Sequence, residues 1–97
     1  MPGYITFFRY TQRGLAEMKG TPERIKQARE DLAKQGMRLV GIWWTLGECD
    51  AVAVFDAPGD QAMAATALDA ASHGLYTTQT LRAFSEEEFA QIVSKLP

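Results

Sequence analysis

The chain contains one cysteine and one histidine, Cys49 and His73. A catalytic pair of a cysteine nucleophile and a histidine base could therefore consist only of these two residues. A cysteine nucleophile needs a base within hydrogen-bond reach, and nothing in the sequence brings these two residues together. We therefore interpret Cys49 as a small turn residue and His73 as a residue that the helix dipole favours at a C-terminus. One cysteine and one histidine cannot build a conventional structural zinc site, so the sequence predicts no metal.

Charged residues beside apolar segments are the other candidates for chemistry. The guanidinium of Arg24 or Arg82 offers a planar fork suited to the carboxylate of an anionic small molecule, and Arg9 also lies beside an apolar strand. Alternatively, Arg24 or Arg82 pairs with Asp50, since half-buried charges are normally paired. Aromatic residues such as Trp44 would pack in the core or form the wall of a pocket. The ligand-pocket candidates are Arg24, Trp44, Asp50, His73 and Arg82.

Composition excludes several classes of function. Ten basic and twelve acidic side chains give a net charge of −2 without a basic cluster, so we expect no nucleic-acid partner. The eight glycines form neither a P-loop nor a dinucleotide-binding fingerprint, so the sequence predicts no cofactor. No apolar run approaches the ~18 residues of a membrane span, and the lone cysteine fits a reducing cytoplasm. At 97 residues and 46% apolar content, we expect residues 1–97 to form one domain.

Hydrophobic patterns predict the elements that position these residues. Strands are expected over 4–10, 37–46, 51–55 and 75–83. Thr11 is the predicted cap of a short helical turn, and Thr21 the cap of a long helix that ends at Gly36. Asp60 is the predicted cap of an alanine-rich helix to Ser72. Its buried stripe is expected to be Ala64, Ala67, Leu68 and Ala71. Ser85 and Glu88 form a predicted capping box for a last short helix.

The order of these elements indicates an α+β fold with the ferredoxin-like βαββαβ arrangement, an antiparallel sheet with two helices on one face. Residues 39–46 place large apolar side chains on both faces of their strand, with Trp43 and Trp44 pointing to opposite sides. Two helices cover only one face. A second copy of the chain is the simplest cover for the other, so we predict a homodimer or a higher oligomer packed sheet to sheet.

Three segments resemble the GYD-domain family: residues 44–50, the helix opening 21–24, and residues 81–88. The resemblance runs from Tyr4 to Pro97 and implies a member of the dimeric α/β barrel superfamily. The sequence departs from the family signature at Cys49, where members usually have a tyrosine before the aspartate. His73 also lies where a nonpolar or small residue is expected. The family provides no function that carries over to this chain.

The sequence thus predicts an interaction domain that is noncatalytic or of unknown activity, homo-oligomeric, and able to hold a small hydrophobic or anionic ligand between sheet and helices. The alternative is a cofactor-independent enzyme, oxygenase-like or isomerase-like, which rests on analogy of fold alone. An enzyme would need a titratable group in a pocket, and the candidates are His73, Asp50 and Glu48.

Overall fold

The computed structural model describes all residues from Met1 to Pro97 and has the predicted ferredoxin-like α+β architecture. One antiparallel sheet has the strand order β2-β3-β1-β4. The strands are β1 (Gly3–Tyr10), β2 (Arg38–Trp44), β3 (Ala51–Asp56) and β4 (Tyr76–Ala83). The helices are α1 (Gln12–Ala16), α2 (Thr21–Lys34), α3 (Asp60–Ser72) and α4 (Glu86–Val93), and a 3₁₀ turn (Met18–Gly20) separates α1 from α2.

The two faces of the sheet carry different side chains. Tyr4 and Phe8 of β1 and Phe55 of β3 point toward α2 and α3, where Leu32 and Met63 complete the core. Only 13 of the 97 residues are buried, because the helices cover this face alone. We call it the covered face and the opposite one the open face. Side chains that are directly opposite each other on neighbouring strands share a face. The open face therefore presents Ile5, Phe7, Arg9, Trp43, Val52, Val54, Thr77, Gln79 and Leu81.

Two of the predicted helix caps are wrong, although both helices form. Thr21 is the first helical residue of α2, Gly20 precedes it as the cap, and the Thr21 hydroxyl donates to Met18 Sδ at 3.5 Å. Asp60 likewise lies in the first turn of α3, with Gly59 as the cap. The Asp60 carboxylate instead accepts a 2.6 Å hydrogen bond from the Tyr4 hydroxyl, which ties α3 to β1 and raises the pKa of Tyr4.

The predicted buried stripe of α3 is also wrong. Leu68 is 73% exposed, and Ala64 and Ala71 are exposed as well. The helix instead turns Met63 into the core, with Ala67 half-buried on the same side. Alanine on every side of the helix gives little contrast between faces, so the tether at Asp60 and the fit of Met63 decide which side faces the sheet.

Other local predictions are confirmed. The Thr11 side chain accepts from the Gly14 amide at 3.1 Å and caps α1. Ser85 and Glu88 form both hydrogen bonds of the capping box at the start of α4. Gly36, after α2, has φ of 71°, which glycine adopts without steric cost.

Helix α4 follows β4 and leaves most of its apolar surface exposed. Within the helix, Phe89 is 59% exposed and Val93 44%, and Leu96, just after the helix, is 67% exposed. None of the four helices combines the length and the apolar character needed to cross a bilayer.

Candidate functional site

The predicted ligand-pocket residues do not converge on one site. On α2, the Arg24 guanidinium donates to the Glu17 carbonyl at 2.9 Å and to the Thr21 hydroxyl at 3.1 Å, so it braces the start of its own helix. Arg82 lies near the start of β1. Its guanidinium stacks 4.4 Å from the centre of the Phe84 ring and forms a 3.5 Å ion pair with Glu88. Both arginines therefore have local structural partners.

Asp50 pairs with neither Arg24 nor Arg82, so the predicted ion pair is wrong. Its carboxylate accepts a 2.8 Å hydrogen bond from the Tyr10 amide, and its own amide donates to the Phe8 carbonyl at 2.8 Å. The loop between β2 and β3 is thus fixed to the end of β1. Asp50 acts as a loop anchor, and backbone groups satisfy its charge.

His73 and Cys49 lie on opposite sides of the sheet. His73 caps the C-terminus of α3, as the helix-dipole argument predicts, and its Nε2 is 3.8 Å from the Asp69 carboxylate in an exposed pair. Cys49 lies in the β2–β3 loop, where its Sγ is 3.5 Å from the Thr45 hydroxyl. The two residues form no nucleophile and base pair.

Trp44 borders a groove on the covered side, between α2 and β2. The groove has a volume of about 620 Å³. The Trp44 indole N–H donates to the Tyr10 hydroxyl at 2.8 Å. Tyr10 and Phe8 pack edge-on against Tyr76, and burial raises the pKa of the Tyr76 hydroxyl. The groove is mainly apolar, and its lining residues are Met18, Thr21, Pro22, Ile25, Arg29, Ile42 and Trp44. Of the five predicted candidates, it includes Trp44 alone.

A second pocket lies on the open face and is more polar. It has a volume of about 400 Å³. The β2–β3 loop folds over the ends of β1 and β4 and brings Glu48 and Cys49 beside Arg9. Its lining residues are Phe7, Arg9, Glu48, Cys49, Thr77, Thr78 and Gln79. Sequence reasoning placed the pocket between sheet and helices and so missed this site. The signal for it was Arg9, the only charge in an otherwise aromatic and β-branched strand.

The rest of the open face is apolar around Trp43. This side chain is 56% exposed, and its ring lies over Gly41, where a Cβ would come within 2.7 Å of the indole. Val52 is the strand partner of Trp43, and Val54 is the partner of Gly41. The open face thus carries an apolar surface beside a polar pocket.

Comparisons with known proteins identify the family of this chain. The family model described as the GYD domain matches residues 4–93. A relative from Thermus thermophilus is named "Glutamine synthetase and cystathionine beta-lyase binding protein". It is 34% identical over 84 residues, which cover 86% of this chain and 88% of the relative. No solved structure matches the chain significantly. The chain belongs to the GYD domain family.

Proposed function

We propose that this GYD-domain chain is a protein-interaction domain that works as a homo-oligomer assembled through its open face, in the manner of a dimeric α/β barrel. Residues 1–97 act as one domain in this proposal, and the reducing cytoplasm suits its single cysteine. The observation that carries the proposal is the apolar surface around Trp43, which no element of the chain covers.

Physical chemistry supports a partner at this surface. An antiparallel sheet with one face in water normally presents polar side chains there, whereas this face presents Ile5, Val52 and Val54. Trp43 is 56% exposed, so covering it removes about 140 Å² from water, worth about 3.5 kcal/mol at ~25 cal/mol per Å². A partner would gain this energy on binding.

A second copy fits this surface because a two-fold interface uses the same patch on both subunits. Four strands about 4.8 Å apart, with about 3.3 Å per residue, give a face of roughly 500 Å². A standard interface buries about 800 Å² on each partner. The exposed apolar side chains of α4 and the residues after it, Phe89, Val93 and Leu96, are further apolar surface for a second copy to cover. We therefore include α4 in the proposed interface.

The relative supports a role in binding other proteins, since its name describes binding to glutamine synthetase and cystathionine beta-lyase. By similarity, we propose that assemblies of this chain bind a second protein. Purified glutamine synthetase is the first partner to test, by surface plasmon resonance against the wild-type chain.

Native mass spectrometry tests the assembly with two adjacent, equally large side chains. We expect the wild type to form a dimer or a larger assembly at micromolar concentration. Trp43→Lys should shift it to monomer, because the lysine charge would have to be buried at the interface. Trp44→Lys is the matched control: Trp44 is 50% exposed but lies on the covered side, so the assembly should persist.

A monomeric wild type would overturn the proposed assembly. The same number of subunits in the assemblies of both variants would also overturn it, because the open face would then have no special role. Circular dichroism melts of both variants check that each chain still folds.

A further inference from the structure

Two opposite charges line the pocket on the open face without contacting each other. The Arg9 guanidinium comes from β1, and the Glu48 carboxylate comes from the β2–β3 loop. We propose that this pocket binds a small zwitterion of the α-amino-acid class, with the ligand carboxylate at Arg9 and the ligand ammonium group at Glu48. Such a ligand carries one charge of each sign, and the pocket offers each a partner of opposite sign.

Arg9 differs from every other arginine in the chain. Arg13, Arg38 and Arg82 form ion pairs with carboxylates, at 2.8, 3.0 and 3.5 Å. Arg24 and Arg29 donate to main-chain carbonyls, at 2.9 and 2.6 Å. The guanidinium of Arg9 makes no hydrogen bond or ion pair within the chain. Its planar pair of donors remains available to bind a carboxylate at two points.

Glu48 also has no partner within the chain, yet the loop that carries it is held in place. Asp50 contacts the residues on both sides of Arg9: its amide donates to the Phe8 carbonyl and its carboxylate accepts from the Tyr10 amide. Gly47 has φ of 126°, a conformation that few other residues adopt, and it turns the chain just before Glu48. These contacts hold the backbone that carries Glu48 beside the end of the strand that carries Arg9.

The rest of the pocket suits a molecule of this size. Its volume of about 400 Å³ lies within the usual range of small-molecule sites, about 300–1,000 Å³. Thr77 and Gln79, the strand partners of Arg9 and Phe7, supply a hydroxyl and an amide for polar groups. Phe7 supplies an apolar wall. Cys49 leaves open a volume that a bulkier side chain at this position would fill.

The site is complete within one chain, so it goes beyond the proposed interaction function and does not depend on it. Both use the open face, however, and a partner packed there would cover the mouth of the pocket. The test therefore measures ligand binding and the number of subunits in the assembly on the same samples.

The experiment is a titration followed by amide NMR, with a panel of neutral L-α-amino acids that begins with L-glutamine. We expect at least one member to shift the amides of Arg9, Glu48 and Thr77 saturably. The same compound without its amine, and the same compound without its carboxylate, should each bind about tenfold or more weakly. That loss corresponds to one charge-assisted hydrogen bond.

Variants assign each charge to its group. Arg9→Gln should weaken binding of the amino acid about tenfold or more, and this variant should bind the compound without a carboxylate as well as it binds the amino acid. Glu48→Gln should weaken binding to the same extent, and it should bind the compound without an amine as well as it binds the amino acid. Cys49→Tyr should abolish binding by filling the pocket. Arg38→Gln, which alters an exposed arginine paired with Asp56, is the matched control and should bind as the wild type does.

Saturable binding that is equally strong without the amine would overturn the proposal in favour of a simple anion site. The absence of saturable shifts across the panel at millimolar concentration would overturn it outright. If ligand binding persists in a monomeric Trp43→Lys variant, the proposed binding site is supported independently of the proposed assembly. If Arg9→Gln loses the ligand while the number of subunits in the assembly is unchanged, the two functions are separate.

Discussion

Trp43 and Trp44 are adjacent and are exposed to nearly the same extent, 56% and 50%, yet their surroundings differ. Trp44 lies beside α2 and donates a hydrogen bond to Tyr10. Trp43 lies on the open face, over Gly41, with no helix above it. The exposed fraction alone therefore does not distinguish a side chain at the edge of the core from a side chain on a surface that no element of the chain covers. The neighbours on each face distinguish them.

The same contrast extends across the sheet. On the covered face, the helices bury Phe55, Leu39 and Tyr4, which stabilise the fold of a single chain. On the open face, Phe7 and Val52 remain half-buried. We infer that the covered face stabilises the chain and that the open face is free to bind. Parallel substitutions on the two faces test this division.

The largest expected difference comes from removing one phenylalanine from each face. Phe55 is 6% exposed in the core, so Phe55→Ala should lower the free energy of unfolding by about 3–5 kcal/mol. Phe7 is half-buried on the open face, so Phe7→Ala should cost about 1–2 kcal/mol in the monomer, because less surface is lost from contact. Urea unfolding at low protein concentration measures both values.

The Trp43→Lys background, in which we expect no assembly, serves as the control for this pair, because assembly would then not contribute to the unfolding free energy. Similar losses of unfolding free energy for Phe55→Ala and Phe7→Ala in that background would contradict the division between the two faces.

Substituting alanine for Gly14 or Gly41 is expected to give a smaller difference in stability between the two positions. A Cβ on Gly14 of α1 would lie 1.9 Å from the Leu75 carbonyl oxygen, and this backbone cannot move away easily. Gly14→Ala should therefore cost about 1–3 kcal/mol through overpacking. A Cβ on Gly41 meets only the far end of the Trp43 ring, which can rotate. Gly41→Ala should change stability by less than about 1 kcal/mol.

Gly41→Ala should nevertheless alter the open face, because the Trp43 ring has to leave its position. We expect a shift in tryptophan fluorescence and weaker assembly in native mass spectra, with little change in the melting temperature. The reverse result, a large loss of stability with unchanged assembly, would show that Trp43 contributes to the fold rather than to the interface.

The sequence predicted the elements and the faces because hydrophobic alternation is local information. The four strands, the opposite sides of Trp43 and Trp44, and the capping box at Ser85 all follow from neighbours a few residues apart. The caps at Thr21 and Asp60 failed because both side chains have other partners. The partner of Asp60 is Tyr4, which lies 56 positions away in the chain. Propensity cannot anticipate such a tertiary contact.

The candidate site was less predictable than the fold for the same reason. Arg24 and Asp50 looked available in the sequence, but nearby backbone groups satisfy them. Arg9 and Glu48 line the same pocket only because the β2–β3 loop folds over the end of β1, on the face without helices. The charges of these two residues and their separation in the sequence do not predict that they line one pocket. The distance between two long side chains depends on register and on the geometry of the loop.

Helix α4 provides the smallest expected effect, because it packs against neither face of the sheet and depends on its own cap. The Ser85 amide donates to the Glu88 carboxylate at 3.0 Å, and this hydrogen bond, with the nearby Arg82 guanidinium, holds the pKa of Glu88 below its ordinary value. A lowered pKa in the folded state stabilises the helix at pH values above the ordinary pKa. That contribution is lost as the pH falls through the lowered value.

We therefore expect α4 to lose helical structure on acidification while the sheet remains folded. Backbone carbon chemical shifts of Glu86–Val93, followed from neutral to acidic pH, measure this change against those of α2. Glu88→Gln removes the titrating group and keeps an oxygen that can accept the Ser85 hydrogen bond, so its α4 shifts should depend much less on pH. If α4 and α2 instead unfolded together in the wild type, α4 would be coupled to the rest of the fold and would not be free to pack against a partner.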